Sequence, residues 1–450
     1  MSVFFTARKT IKNYANGGNV LIFATALALI VVNVPGLNGW YNSLWTHELA
    51  LQVGGFNLFS HHHQPMSIMA FINDALMALF FFSVGLEIKR EVLVGELSSF
   101  RNALLPIIGA IGGMLIPVGL YFALSAGTTY SDGWAIPMAT DIAFSLGVLG
   151  MLGNRVPIGL KVFLTTLAVV DDIGGILVIA LFYSTSIDFT LLLWAAGCFV
   201  ILIAGGLAGV QSKMFYAFFG TFVWFFFLNA GIHPTIAGVL VAFTIPAKPV
   251  FAPKNYIKTI RKNISFFSHE DDEKLNSRTI LSKDQMNWLK EIESASDKVI
   301  SPLQDMEDTL HPLVNYIIVP LFAFANAGIF FGDMAFEQLF SGIAPAIIIS
   351  LVVGKFLGIF VFSWLTIKLK MAPMPEGGTW ASLASIAVLG GIGFTVSLFI
   401  ANLSFGTGDP IFSQLLNDSK LGILVGSLLA GVVGWALLHF TLPKEEAQEE

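Results

Sequence analysis

The sequence predicts an all-α polytopic membrane protein of about twelve transmembrane helices. Three observations carry this. Apolar runs of about 20 residues, the length that crosses a bilayer as helix, recur along nearly all of the 450 residues. Charged residues make up only 12% of the chain and the mean hydropathy is +0.76, whereas a typical soluble domain carries about 25% charge. The basic residues also partition between alternate loops, as they do in membrane proteins.

The runs place spans one to six near 17–35, 67–93, 102–126, 134–153, 157–183 and 189–209, and spans seven to twelve near 212–228, 230–245, 311–332, 342–368, 380–402 and 413–440. Spans seven and eight are short, with only "NAGIH" between them. The N-terminal stretch "MSVFFTARKTIKNYANGG" has no small-residue cleavage site after a short apolar core, so the first span reads as retained rather than as a cleaved signal. Around the spans the chain divides into residues 1–246 with the first eight, a polar loop at 247–310, residues 311–440 with the last four, and an acidic tail at 441–450.

The 24 Lys+Arg test this order. An even number of crossings puts Arg8, Lys9, Lys12, Lys89, Arg90, Arg101, Arg155, Lys161, Lys213, the group within 248–298, Lys368, Lys370 and Lys444 on one side. Only Lys355 and Lys420 are left over, and opposite loops such as "SAGTTYSDG" contain no Lys or Arg. By the positive-inside rule both termini are cytoplasmic. The 247–310 loop carries both charge signs and an amphipathic stretch, "LSKDQMNWLKEIESAS"; its Lys/Arg near 254–262 suit either solvent or anionic lipid headgroups.

Ionisable residues inside spans point to function. Asp171 and Asp172 lie 14 and 15 residues past Pro157, about 21 Å along a helix and so within the hydrocarbon. Asp141 interrupts "AIPMATDIAFSLGVLG" and Lys355 interrupts "IIISLVVGKFLGIFVFSW". Each costs about 2.5–3.5 kcal/mol at mid-membrane, on the order of 10 kcal/mol for four facing lipid, so they must face one another or water. A single buried Asp–Lys pair serving as glue does not account for three carboxylates against one ammonium. Fully ionised, the cluster carries −2 and needs a mobile cation or protons. Adjacent carboxylates repel, so the pair takes up and releases protons as a coupled unit. Na⁺ or Li⁺ then enters as protons leave.

Two spans are broken. Pro137 and Thr140–Asp141 interrupt span four, and Gly390, Gly391 and Gly393 in "LGGIGFTVSLFI" interrupt span eleven. Each lies in the middle of a three-span unit, which is the pattern of inverted-repeat transporters with discontinuous helices. Broken ends expose carbonyls and partial charges that Asp141 and Lys355 can compensate.

Other patterns are discounted. The run His61–His62–His63 lacks acidic or Cys companions and cannot converge on one ion. "GTGD" at 406–409 mimics an aspartyl-protease motif but sits in a polar turn before Pro410, and "GGIGFT" is embedded in a span rather than following a soluble strand. The one cysteine, Cys198, excludes an internal disulfide and a cysteine metal cluster. These patterns weaken the case for an enzyme, and nothing suggests a cofactor or a nucleic-acid partner.

At these residues the chain resembles the NhaA-type sodium/proton antiporters. Seven motifs carry the resemblance, in family order: "FINDALMALFFFSVGLEIKRE", "ATDIAFSLGVLGMLGNRVP", "FLTTLAVVDDIGGILVIALFY", "NAGIHPTIAGVL", "LHPLVNYIIVPLFAFANAGI", "VVGKFLGI" and "GGIGFTVSLFI". They run from about residue 60 to about 440, apart from the 247–310 loop, which is a departure from the family's usual pattern. The resemblance implies an electrogenic, pH-regulated exchanger of the bacterial inner membrane, extruding Na⁺ or Li⁺ against a larger number of protons and serving pH homeostasis and salt tolerance. It implies twelve helices with two crossing broken ones. Asp172 is then the main cation ligand, and Asp171 exchanges protons and pairs with Lys355. Thr140 and Asp141 sit at the crossing, Asp141 as an electrostatic support, and Asp74 is structural. Glu87, Lys89, Arg90, Glu91, His233 and Glu307 fall at positions tied to pH response, although charges at a helix end are by themselves ordinary snorkelling anchors. A homodimer built on strands from "NGWYNSLWTHELALQVGGFNLFSHHHQP" is implied by the same analogy. Other readings the residues allow are a cation channel, another ion-coupled transporter and a membrane protease.

Overall fold

A computed structural model describes residues 17–53, 56–61, 64–184, 187–248, 253–267, 282–332, 339–406 and 409–443. Among these residues seven helices are long and apolar enough to cross a membrane: Ile68–Val94, Phe100–Ser125, Ile158–Phe182, Phe189–Leu207, Pro302–Asn326, Ile343–Lys368 and Pro410–Thr441. Three bent pairs and the shorter apolar helices Lys213–Asn229 and Pro234–Thr244 bring the apolar helical segments to twelve among the described residues. In the first pair Leu37–Thr46 turns away from Gly17–Asn33 by 116°, so the crossing is Gly17–Asn33 alone. The other two, Ser131–Met138 with Ile142–Gly150 (41°) and Trp380–Leu389 with Phe394–Phe405 (40°), are the broken spans four and eleven. The fold is therefore the all-α polytopic one that the sequence predicts.

Helix starts obey local chemistry. Ser301 caps Pro302 by accepting from the Gln304 amide, Asp409 caps Pro410 by accepting from the Ile411 amide, and Thr379 forms a capping box with Ser382. Span nine begins at Pro302, earlier than the hydropathy places it, because its first turns are amphipathic and half polar. Among the described residues three helices contain a π turn: Phe71–Leu76 in span two, Val314–Ile318 in span nine, and Ser350–Gly354 immediately before Lys355 in span ten. Such turns insert a residue and rotate the next stretch of helix about its axis, often at functional sites.

Spans three to five form one group of three and ten to twelve another, each with a broken middle member. Their first helices touch backbone to backbone: a Cβ on Gly358 would lie 2.1 Å from the Gly112 carbonyl oxygen, so small residues are required there. The bent members cross at their breaks. The Asp141 amide donates to the Ile392 carbonyl (2.6 Å), Ser145 Oγ to Leu389 (3.3 Å), and Ser397 Oγ returns to Ile136 (2.7 Å).

Beyond Leu37–Thr46 the chain forms short strands β1 (Glu48–Leu49), β2 (Gln52–Val53), β3 (Phe56–Asn57), β4 (Ser60–His61) and β5 (Gln64–Ser67); β5 pairs antiparallel with β1 and β4, and β2 with β3. His61 ends β4, while His62 and His63 lie outside the described residues, as do 407–408 of "GTGD" and the tail from 444. Tyr41 anchors this region, its hydroxyl donating to the Ala325 carbonyl (3.1 Å). In the 247–310 segment, helices Pro253–Phe267 and Lys283–Val299 are joined by a stacked Phe266–Trp288 pair, centroids 5.4 Å apart.

Candidate functional site

The site forms where the two breaks meet span five. After Pro137 the backbone is extended at Ala139, and Asp141 (φ −85°, ψ 104°) caps the half-helix Ile142–Gly150. Thr and Asp suit this place because a short oxygen-bearing side chain satisfies orphan amides at a helix start. The opposite break has little side chain at all. A Cβ on Gly391 would lie 2.4 Å from the Leu351 carbonyl oxygen, so only glycine permits the close approach.

Asp141 is fully engaged. One carboxylate oxygen accepts from the Phe144 amide (2.9 Å), and the other from the Thr395 amide (3.0 Å) and hydroxyl (2.6 Å). It ties the start of one half-helix to the start of the other. Thr395 is a member of the site that sequence reasoning missed; its only local signal was a position directly after the glycine break.

Asp171, Asp172 and Lys355 lie at this crossing, 1%, 4% and 0% exposed. Lys355 Nζ donates to Asp171 Oδ2 and to Thr140 Oγ1, the latter at 3.0 Å. Thr140 Oγ1 is itself 2.6 Å from Asp171 Oδ2 and 2.9 Å from the Gly390 carbonyl, so its proton goes to one of two acceptors. All of these contacts fall on one side of Asp171. Asp171 Oδ1 and Asp172 Oδ1 are buried without a hydrogen-bond partner. Buried carboxylate oxygens without a protein partner are hard, anionic donors, suited to a proton or a small hard cation. No group of three or more His, Cys, Asp or Glu among the described residues is arranged as a metal centre.

The pH-response candidates separate into two places. Arg90 Nη2 pairs with Glu91 (3.1 Å), and Arg90 Nε lies 3.3 Å from Glu307. Glu87 stands one turn earlier on the same helix, and Lys89 donates to the Phe243 carbonyl (2.7 Å) and to that of Ile245, closing the end of span eight. His233 is elsewhere. Its Nδ1 contacts Thr235 Oγ1 (2.8 Å), and its Nε2 is 4.0 Å from Asp74. Asp74 and Arg90 are 16 residues apart on span two, about 24 Å by helical rise.

Comparison with known proteins gives a consistent result. The profile of the family described as Na+/H+ antiporter 1 matches residues 8–438. A protein of Phocaeicola vulgatus named Na(+)/H(+) antiporter NhaA is 53% identical over 100% of this chain and 99% of its own length. Proteins of the same name from Bacteroides fragilis (50% identical, 98% and 99% covered) and Porphyromonas gingivalis (45%, 97% and 95%) are similar as well.

Proposed function

The chain belongs to the Na+/H+ antiporter 1 family, and from that premise we propose that it exchanges Na⁺ or Li⁺ for protons, with Asp171 and Asp172 as the shared site. It is a transporter rather than an enzyme. The observation that carries the assignment of the site is the pair of buried, unpartnered oxygens, Asp171 Oδ1 and Asp172 Oδ1.

Charge drives the exchange. With protons on the doublet the pocket is close to neutral and stable in a low-dielectric surround. When the protons leave, two carboxylates a residue apart repel, and only a cation restores the balance. Asp172 supplies the main ligand oxygen. Asp171 shares its charge between the ion and Lys355, so that Lys355 and Thr140 hold Asp171 Oδ2 when no ion is bound. Asp141 keeps the two half-helices in register, and its charge offsets the partial positive ends that converge there. Admitting more protons than the Na⁺ it extrudes makes the cycle electrogenic.

By the same reasoning the basic loops and both termini, with the 247–310 loop and the acidic tail, lie on the cytoplasmic side of a bacterial inner membrane. The chain forms a homodimer through the strands beyond Tyr41, with membrane lipid as its surround. Glu87, Arg90, Glu91 and Glu307 respond to pH near the cytoplasmic surface, and His233 acts separately. A passive channel fits less well, because filters are built from rings of like groups, whereas these carboxylates are single and paired with one lysine.

Everted vesicles carrying a pH-sensitive dye test the reading. Adding Na⁺ or Li⁺ should collapse a preformed proton gradient with the wild-type protein and leave it intact with Asp172→Asn or Asp171→Asn. Near-normal exchange by either variant contradicts the assignment.

A further inference from the structure

Away from the doublet, a line of side-chain amides joins three helices. Asn402 Nδ2 donates to Asn326 Oδ1 (3.0 Å), and Asn326 Nδ2 donates to Asn73 Oδ1 (2.9 Å). Asn402 lies on the second half of broken span eleven, Asn326 at the end of span nine, and Asn73 in the π turn of span two. Asn326 is fully buried. Just inside this line, Phe399 of span eleven meets Phe81 of span two (centroids 5.7 Å) and Phe322 of span nine (6.4 Å). Asn402 is nine residues beyond Gly393, about 13 Å along the helix, on the side away from the basic loops.

Buried amides between membrane helices often serve only as glue. The placement here argues for more. The chain of bonds crosses from a helix that builds the ion site to two helices that contribute none of its charged groups. On the basic side spans two and nine are tied instead by the partly exposed Arg90–Glu307 pair (3.3 Å), and Val84 and Ile88 of span two pack with Val169 of span five. One face of the site is thus fastened by buried directional bonds and an aromatic plug, the other by apolar packing and a partly exposed ion pair. A site that must open to each side in turn needs such bonds to break on one of the two openings.

We propose that Asn402–Asn326–Asn73 is the latch that closes the ion site toward the external side, and that parting of Asn402 from Asn326 accompanies outward opening. The proposal rests on the exchange function above. Losing one neutral hydrogen bond changes an equilibrium about fivefold, and the apparent affinity on each side scales with the fraction of protein competent there.

The test measures half-saturating Na⁺ for exchange from each side, in everted and in right-side-out vesicles. Asn402→Leu should lower the external value about fivefold and raise the cytoplasmic one by less, while Asn402→Ser, which keeps a donor, lies nearer wild type. Equal changes on both sides, or none, overturn the latch. An independent arm uses Asn326→Cys with Asn402→Cys in a Cys198→Ser background. Joining the two thiols with a short bis-methanethiosulfonate linker, which forms a disulfide at each end and releases methanesulfinate, should stop exchange until the linker is reduced; unimpaired exchange by the linked protein overturns the proposal. Wild-type vesicles without Na⁺-driven exchange would remove the function itself, whereas normal wild-type exchange with symmetric effects removes only the latch.

Discussion

The crossing around Lys355 and the cluster around Arg90 use the same chemistry, a base beside two or more carboxylates, under opposite solvation. Asp171, Asp172 and Lys355 are at most 4% exposed, whereas the Arg90 side chain is 37% exposed and that of Glu307 13%. Desolvation decides what such groups can do. In the dry crossing an uncompensated charge costs several kcal/mol, so ion and proton occupancy are tied together. Near the surface water and salt screen the pairs to about 0–1 kcal/mol, enough to bias an equilibrium and too little to enforce exchange.

The largest break in this contrast comes from the doublet. Asp172→Asn and Asp171→Asn should each reduce exchange in everted vesicles to background, while Glu307→Gln and Arg90→Gln keep the maximal rate. Next is Lys355→Ala, which strands Asp171 Oδ2 with only the Thr140 hydroxyl beside it. Removing one partner of a buried pair costs about 3–5 kcal/mol, so thermal unfolding in detergent should shift down clearly, and far less for Arg90→Gln. Thr395→Val removes one hydroxyl donor from Asp141, a loss of about 1–3 kcal/mol, and should lower the exchange rate without abolishing it. The smallest effect belongs to Glu307→Gln. The pH at half-maximal exchange should move by less than about one unit, and high salt should reduce the shift, since the Arg90 side chain is partly exposed and salt screens such charges within about 10 Å at 0.1 M.

The parts of this arrangement that depend on runs of neighbouring residues were legible in the sequence. Apolar length gave the order of the membrane helices, and two aspartates in a row at mid-span pointed to the proposed site. The glycine run and the Pro–Thr–Asp interruption announced the breaks. Partnerships over long separations were not legible. Thr395 and Asp141 are 254 positions apart and Asn326 and Asn73 253; an uncharged Asn or Thr in a membrane helix is too common to stand out. His233 groups with Glu87 and Glu307 by motif, yet the fold sets it beside Asp74, because a motif does not say at which end of a helix its residues emerge. The early start of span nine was hidden because amphipathic turns read as loop on a hydropathy scale.

Displacement of Na⁺ and protons by each other on one pair of carboxylates is the central claim. The direct measurement is proton release from purified protein in weakly buffered detergent solution on adding Na⁺, repeated with Asp172→Asn. Shared-site exchange predicts release from the wild type, none from the variant, and a half-saturating Na⁺ concentration that rises about tenfold for each pH unit of acidification where one proton competes. Saturable Na⁺ binding with no proton released, or an Na⁺ affinity flat across that range, would contradict it.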